Sequence, residues 1–383
     1  MPPARPGGAG AGDGGAVQRE RQRAGGAAAG LEHPLPDGVQ LERIARELTI
    51  DSPGDWPANA DLQRLLDASS GLTRYEAEGA FALSLARHSA LRADVVWEIK
   101  AQTLRKNHLL RLHQGTESFD ALGGLANLKD FCRRSLRPGA PVKARGTLLL
   151  GVPGTGKSCF ARALGNECGR PVLLLDLGAL YGSLVGATEA NIRQALRVAD
   201  AMAPCVLFID ELDKALSGVG GQGDSGVSTR LFGTLLSWLA DHESDVFFVG
   251  AANDIRRLPP EFTRAERLDG LFFLDLPGAD DKAGIWRMHR STFNLPNEME
   301  LPDDTGWTGA EIRSCCRLAA LLETSLVEAA KLVAPVAVTA AETVDTLRTW
   351  ASGRCVDAAR PGLYHREAAG KSRRRVERDA GNN

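Results

Sequence analysis

The sequence predicts an α/β fold: a parallel five-stranded sheet with helices on both faces, a helical region before it and a smaller helical unit after it. Three observations predict this. Five short, almost wholly apolar runs recur along the chain: "TLLLG" (147–151), "PVLLLD" (171–176), "CVLFID" (205–210), "DVFFVGA" (245–251) and "LFFLDL" (271–276). Amphipathic stretches separate them, which is the pattern of strands buried on both faces. After Pro277 the apolar runs stop, and helical patterns occupy 280–292, 308–330 and 339–352.

At 383 residues the chain has room for two or three domains. The formal net charge of −2 argues against a chain devoted to nucleic acid or to an anionic membrane. The seven cysteines lack any CxxC spacing, so neither a zinc site nor a disulfide scaffold is suggested. This reads as a reduced, cytoplasmic protein. No apolar run approaches the ~18–20 residues of a membrane span, and the N-terminus has no apolar core of a secretory signal.

Taken in order, residues 1–35 are rich in Gly, Ala, Pro and Arg with little to bury. They are read as a disordered lead or a mis-set start. Residues 36–113 form a helical region, with apolar residues every three or four positions in "ANADLQRLLDASS" and "LTRYEAEGAFALSLARHSAL". Thr73 to Glu76 is a T-x-x-E capping box opening the second of these. A further helix starts near Asp94 and runs to His108. The strand-bearing region spans 114–278 and the smaller helical unit 279–357. A polar, basic tail (358–383) contains "KSRRRVER" and is either solvated or makes a specific contact. No internal repeat stands out.

The chemistry is concentrated at the ends of the strands. "GVPGTGKS" (Gly151, Val152, Pro153, Gly154, Thr155, Gly156, Lys157, Ser158) fits G-x-x-x-x-G-K-[ST]. It follows a predicted strand and opens a predicted helix, with Cys159 next in line. Glycines let the backbone wrap a phosphate with its N–H groups inward, and the helix N-terminus adds positive potential. Lys157 can reach β- and γ-phosphates, and Ser158 can ligate Mg²⁺. In "CVLFIDE" the strand ends in paired carboxylates, where α/β sheets bind ligands. Asp210 would hold the Mg²⁺ shell, and Glu211 would polarise an attacking water. Asn253 ends the next strand, either orienting that water or serving as a turn residue. Arg264 and Arg267 precede the last strand, either as surface arginines or as cations offered to a neighbouring subunit's phosphoryl group.

Together these stretches, from "FDALGGLANLK" (119–129) to about Ala310, resemble the AAA (AAA+) branch of the P-loop NTPases. More narrowly, over about 70–366, the chain resembles the ycf-type AAA ATPases of cyanobacteria, plastids and other bacteria. "GLTRYEAEGAF", "IKAQTLRKNHLL", "APCVLFIDELDKALSG" and "LRTWASGRCVDAARPGLY" carry that likeness. The resemblance implies a helical lid after the sheet and ATP and Mg²⁺ as ligands. It also implies a homo-oligomeric ring, expected to be a hexamer. It places Leu122 and Gly123 along adenine and His289 near the nucleotide. Gly309 and Ala310 become the small pair on which the lid closes, where many relatives outside this branch carry an arginine. Asn253 becomes the water-sensing residue, and Arg264 and Arg267 the trans-acting fingers.

Three positions depart from the family pattern. Glu266 replaces the usual Gly between the fingers, Gly270 replaces an acid after them, and Leu184 occupies the aromatic position of a candidate pore loop (Leu184, Val185, Gly186). The second central loop, "SGVGGQGDSG" (217–226), also lacks an aromatic ring. A leucine lacks the contact area of Trp or Phe. The chain is therefore expected to hydrolyse ATP in a ring and remodel an unidentified protein client gently. The alternatives are an ATP-driven assembly switch or scaffold and, more weakly, a nucleic-acid-associated ATPase.

Overall fold

A computed structural model of the chain describes residues 35–50, 56–104, 109–113, 115–137, 139–179, 185–215, 225–254, 258, 260–263 and 267–366. Four helices come first: α1 (Gly38–Leu48), α2 (Asn59–Ser69), α3 (Arg74–His88) and α4 (Ala93–Leu104). They enclose a core of Leu41, Ile44, Leu65, Phe81 and Val96. The capping box read in the sequence is present: Glu76 Oε2 accepts from Thr73 N at 2.9 Å, and Thr73 Oγ1 accepts from Glu76 N at 3.3 Å.

The remaining elements are β1 (Leu110–His113), α5 (Ala126–Ser135), β2 (Gly146–Gly151), α6 (Lys157–Cys168), β3 (Val172–Leu175), α7 (Val185–Ala201), β4 (Cys205–Ile209), α8 (Leu212–Ala215), α9 (Ser225–Asp241), β5 (Val246–Ala252) and β6 (Gly270–Leu274). The lid follows as α10 (Ala279–Thr292), α11 (Gly309–Leu322), α12 (Leu326–Ala330), α13 (Val336–Thr339) and α14 (Ala341–Ala351), and β7 (Val356–Asp357) closes the series. All five expected strands are present and mutually parallel, in the order β3-β4-β5-β2-β6.

Alternate side chains of these strands enter opposite cores, as a period of two requires. Leu148, Leu150, Leu207, Ile209 and Phe248 pack on one face. Leu149, Val206, Phe208, Phe247 and Val249 pack on the other. Every residue of β2 is buried, as is every residue of β4 and β5, so the segment after β2 is held by a fully enclosed strand.

The structure adds to the sequence reading at four places. Leu110–His113, assigned to the end of the helical region, is a strand antiparallel to β3. Val356–Asp357 forms β7, parallel to β6 on the opposite edge, so the sheet has seven strands rather than five. Ala358 and Tyr364, assigned to the polar tail, are buried. Ala358 O accepts from Leu128 N at 3.0 Å, and Tyr364 packs against Phe273 with ring centroids 4.5 Å apart. The stretch 308–330 is two helices, because Glu323 turns left-handed (φ 51°) and Ser325 caps a new start by accepting from Glu328 N.

One short pattern does recur in three dimensions. Gly71-Leu72-Thr73-x-x-Glu76 before α3 matches Gly306-Trp307-Thr308-x-x-Glu311 before α11. Both glycines have positive φ, 78° and 76°. Leu72 and Trp307 are both buried, as a hydrophobic staple ahead of a cap demands. No helix of the described residues is long and apolar enough to cross a membrane.

Candidate nucleotide site

A cleft of about 1290 Å³ opens at the carboxyl ends of the strands, between the sheet and the lid. The loop 151–158 forms its floor. Gly154 and Gly156 have φ of 84° and 92°, a region that side-chain-bearing residues rarely adopt. A Cβ on Gly154 would lie 2.8 Å from Thr308 Oγ1 and 3.1 Å from Ala310 Cβ. The first turn of α11 thus rests directly on this loop, and Ala310 N donates to Gly154 O at 3.2 Å. Thr155 Oγ1 donates to Val152 O at 2.8 Å and tightens the turn.

Lys157 is buried, and its ammonium donates to Gly151 O and Val152 O, both at 2.9 Å. Burial lowers its pKa to about 8, against the opposing fields of Asp210 and Asp213. Gly151 and Val152 do not line the cleft themselves; they hold Lys157 through these carbonyls. Pro153 through Cys159 do line it.

Across the floor, Ser158 Oγ donates to Asp210 Oδ2 at 2.6 Å. A hydroxyl and a carboxylate so placed are hard oxygen donors suited to Mg²⁺, which takes a few protein oxygens and keeps water for the rest. Glu211 follows with a left-handed backbone, φ 51°. Its N–H donates to Asp210 Oδ1 at 2.9 Å, which orients the first carboxylate. The Glu211 carboxylate itself pairs with Lys214 one turn on. Asp213, 3 % exposed, accepts from Asn253 N at 3.1 Å and so joins the ends of β4 and β5. Asn253 Oδ1 is buried with no hydrogen-bond partner among the described residues. Buried polar atoms are nearly always paired, so this acceptor at the cleft wall fits a site that binds a polar ligand.

The other end of the cleft is apolar. Leu122 and Gly123 face Ile285, Met288 and His289 of α10. A Cβ on Gly123 would be 2.3 Å from Ile285 Cγ1, so only glycine lets these walls meet. Lys129 secures the wall by donating to Phe119 O and Leu122 O. His289 Nδ1 is buried with no hydrogen-bond partner among the described residues. Burial, with a smaller effect from Arg313, pushes the His289 pKa down to about 4 and keeps the ring neutral. Gly309 and Ala310 line the roof.

The structure therefore brings fifteen of the sequence-selected residues to one cleft: Leu122, Gly123, the run from Pro153 to Cys159, Asp210, Glu211, Asn253, His289, Gly309 and Ala310. Arg267 does not line it; half-buried, it donates to Glu261 O at 3.2 Å. Arg264, Glu266 and Leu184 lie outside the described residues. Val185 and Gly186 open α7.

Sequence reasoning missed a polar cluster at the cleft edge. Asp275, just beyond β6, accepts from Arg348 Nε at 2.8 Å and from Tyr364 Oη at 2.7 Å. The stretch "LRTWASGRCVDAARPGLY" stood out in the sequence, but nothing in it showed that it returns to β6.

A glycine-wrapped loop after a buried strand, a buried lysine, a serine–aspartate pair and an adjacent glutamate define a P-loop nucleotide-binding protein of α/β type. Comparison with known proteins narrows the class. The family model "ATPase family associated with various cellular activities (AAA)" matches residues 147–276, and "SpoVK-like AAA ATPase, second domain" matches 39–107. The "Uncharacterized AAA domain-containing protein ycf46" of Guillardia theta is 31 % identical over 348 residues, covering 84 % of this chain and 68 % of that protein. Its namesake from Pyropia yezoensis is 36 % identical over 292 residues, covering 69 % and 58 %. The chain belongs to the AAA ATPase family, and within it to the group of the ycf46 proteins. Among solved structures, the crystal structure of the FIGL-1 AAA domain matches with a TM-score of 0.51 at 21 % identity, covering 65 % of this chain and 93 % of that one. That likeness concerns the fold.

Proposed function

We propose that this protein hydrolyses ATP with Mg²⁺ in a homo-oligomeric ring, a hexamer, and uses the cycle to remodel a protein partner. The observation that carries the reading is the convergence of Lys157, Ser158, Asp210, Glu211 and Asn253 on one cleft from three neighbouring strand ends. Loop 151–158 holds the polyphosphate, and Lys157 leaves its two carbonyls to meet the β- and γ-phosphate oxygens. Ser158 and Asp210 would hold a Mg²⁺ ion, which would supply charge neutralisation for the phosphate chain. Asn253 orients a water. Glu211 accepts its proton as the water oxygen bonds to the γ-phosphorus and the bond to the β-phosphate oxygen breaks, giving ADP and inorganic phosphate. The base lies between Leu122, Gly123, Ile285 and His289.

Arg267 is absent from its own cleft, which supports its action, with Arg264, on a neighbouring subunit's nucleotide. One observation favours a second reading, an assembly switch with slow hydrolysis: the Glu211 carboxylate is engaged by Lys214 and must leave it to act as a base.

The test is ATP turnover per subunit against protein concentration, with Glu211→Gln as the blank. A rate that climbs with concentration, saturates and falls by at least ~100-fold in the variant is the expected result. A flat rate no greater than the blank would overturn ring hydrolysis and leave the switch.

A further inference from the structure

Asp281 belongs to none of the motifs that mark the cleft in the sequence, yet it lines the cleft from the first turn of α10. It is half-buried and makes no hydrogen bond or ion pair among the described residues. Every other acid lining the cleft is engaged: Glu117 by His113, Asp210 by Ser158, Glu211 by Lys214, Asp275 by Arg348 and Asp357 by Ala359 N.

Two consecutive glycines show where its carboxylate lies. A Cβ on Gly123 would be 2.3 Å from Ile285 Cγ1, and a Cβ on Gly124 would be 3.0 Å from Asp281 Cγ and 3.1 and 3.3 Å from its two oxygens. The wall that runs from Leu122 to Gly124 thus meets α10 at two successive turns, with an apolar contact at one and a carboxylate at the next. Asp281, Ile285 and His289 follow one another at intervals of four, so they share one face of the helix, and all three line the cleft. The charge of Asp281 is felt by Lys129, but that ammonium is already bonded to Phe119 O and Leu122 O. Those bonds also occupy the Leu122 carbonyl and leave the Asp281 carboxylate as the charged acceptor at the apolar end of the cleft. An acid in a first turn is also favoured by the helix dipole. Asp280 supplies that charge beside it, exposed and outside the cleft.

We propose that Asp281 is a specificity-determining residue for the base: its carboxylate accepts a hydrogen bond from the exocyclic amino group at the six-position of adenine. A carboxylate accepts and does not donate. Adenine presents an N–H donor at that position, whereas hypoxanthine and guanine present an oxygen, which meets the carboxylate as acceptor against acceptor. The three bases have nearly the same outline, so apolar walls alone separate them poorly, and a group that must be hydrogen-bonded separates them well. Bonds to a charged partner are the stronger kind.

This inference rests on the nucleotide reading above, and the test separates the two. N-methylanthraniloyl-ADP with Mg²⁺ is bound to the full chain and displaced by unlabelled ATP, ITP or GTP. The same titrations are run on Asp281→Asn, Asp281→Ala, Asp280→Asn and Lys157→Ala, with the nucleotide-free melting temperature of each chain alongside. The native chain should prefer ATP over ITP and GTP by about ten- to a hundredfold. Asp281→Asn, whose amide can offer either a donor or an acceptor, and Asp281→Ala should lose most of that preference while melting like the native chain. Asp280→Asn should keep the native ratio, and Lys157→Ala should weaken all three nucleotides together. A native chain that binds ATP and ITP equally, or that prefers GTP, overturns the inference and leaves nucleotide binding intact. An Asp281→Asn chain that keeps the native ratio overturns it too, because the base is then selected by other groups. So does an Asp281→Asn chain that melts several degrees lower and weakens all three nucleotides alike, by showing a structural role. If the native chain binds none of the nucleotides, the nucleotide reading itself fails.

Discussion

The two helical units of this chain are fastened to one sheet by different chemistry. The lid is tied at the carboxyl end of β6, where Asp275 accepts from Arg348 and Tyr364. The N-terminal helices are tied at the opposite side by Lys100, 3 % exposed, which donates to Ser70 O at 2.5 Å and Ala203 O at 3.4 Å. Beside it the backbone approach is so close that a Cβ on Gly71 would lie 2.6 Å from Ala201 O. One attachment is a compensated ion pair. The other is a lone buried ammonium on carbonyls, and burial lowers its pKa to about 8. The first should be costly to break on one side, whereas the second should titrate.

The largest effect expected is therefore on the lid side. Asp275→Ala leaves a half-buried guanidinium and a phenol without an acceptor, and it should lower stability by about 3 kcal/mol. Tyr364→Phe removes only one hydrogen bond and should cost ~1 kcal/mol. Urea midpoints of the two variants measure the ratio; equal losses would mean that the ion pair holds nothing.

The recurring caps sharpen the comparison. Glu311 uses both oxygens, accepting from Thr308 N at 2.6 Å and Val336 N at 2.5 Å, so it joins α11 to α13. Among the described residues, the Glu76 carboxylate accepts hydrogen bonds only from Thr73, through one oxygen. Glu311→Ala should cost ~2 kcal/mol, and Glu76→Ala less than half as much. Thermal melts of the pair decide it, and the reverse order would show that the second bond of Glu311 is idle.

The smallest effect near neutrality is that of Lys100. Between about 8 and the ordinary 10.5 the unfolded chain keeps a proton that the folded chain has released, so this group makes stability rise with pH across that window. Below about 8 both states hold the proton and its contribution to the slope vanishes. Lys157 acts with the same sign in the same range, so the difference between the native chain and Lys100→Met isolates Lys100. Chemical unfolding at pH values spanning the window should show a shallower rise in the variant. An unchanged slope would mean that Lys100 stays protonated throughout.

How much of this was legible in the sequence depends on the range of the forces involved. β2, the loop after it and the Asp210–Glu211 end of β4 announced themselves through unbroken apolar runs followed by glycines or acids, all local features. β7 did not, because two residues have no period, and Val356 is placed by pairing with Phe272 and by a bridge to Leu363, both distant from any local pattern. The break between α11 and α12 was hidden because Glu323 adopts the left-handed conformation with neither Gly nor Pro to mark it. The capping box at Thr73 was read from four letters, since both partners lie within one turn. Asp281 looked like any acid in the first turn of a lid helix. Periodicity separates core from solvent, but it does not distinguish solvent from a cleft.

The return of β7 to β6 also sets an order for synthesis. A chain still emerging from the ribosome has β6, with Phe272 and Phe273, as an open sheet edge until Val356 and Asp357 arrive to cover it. Open strands are templates for pairing with other chains. A product interrupted before Val356 would keep the whole nucleotide-binding loop and yet present β6 as an uncovered edge.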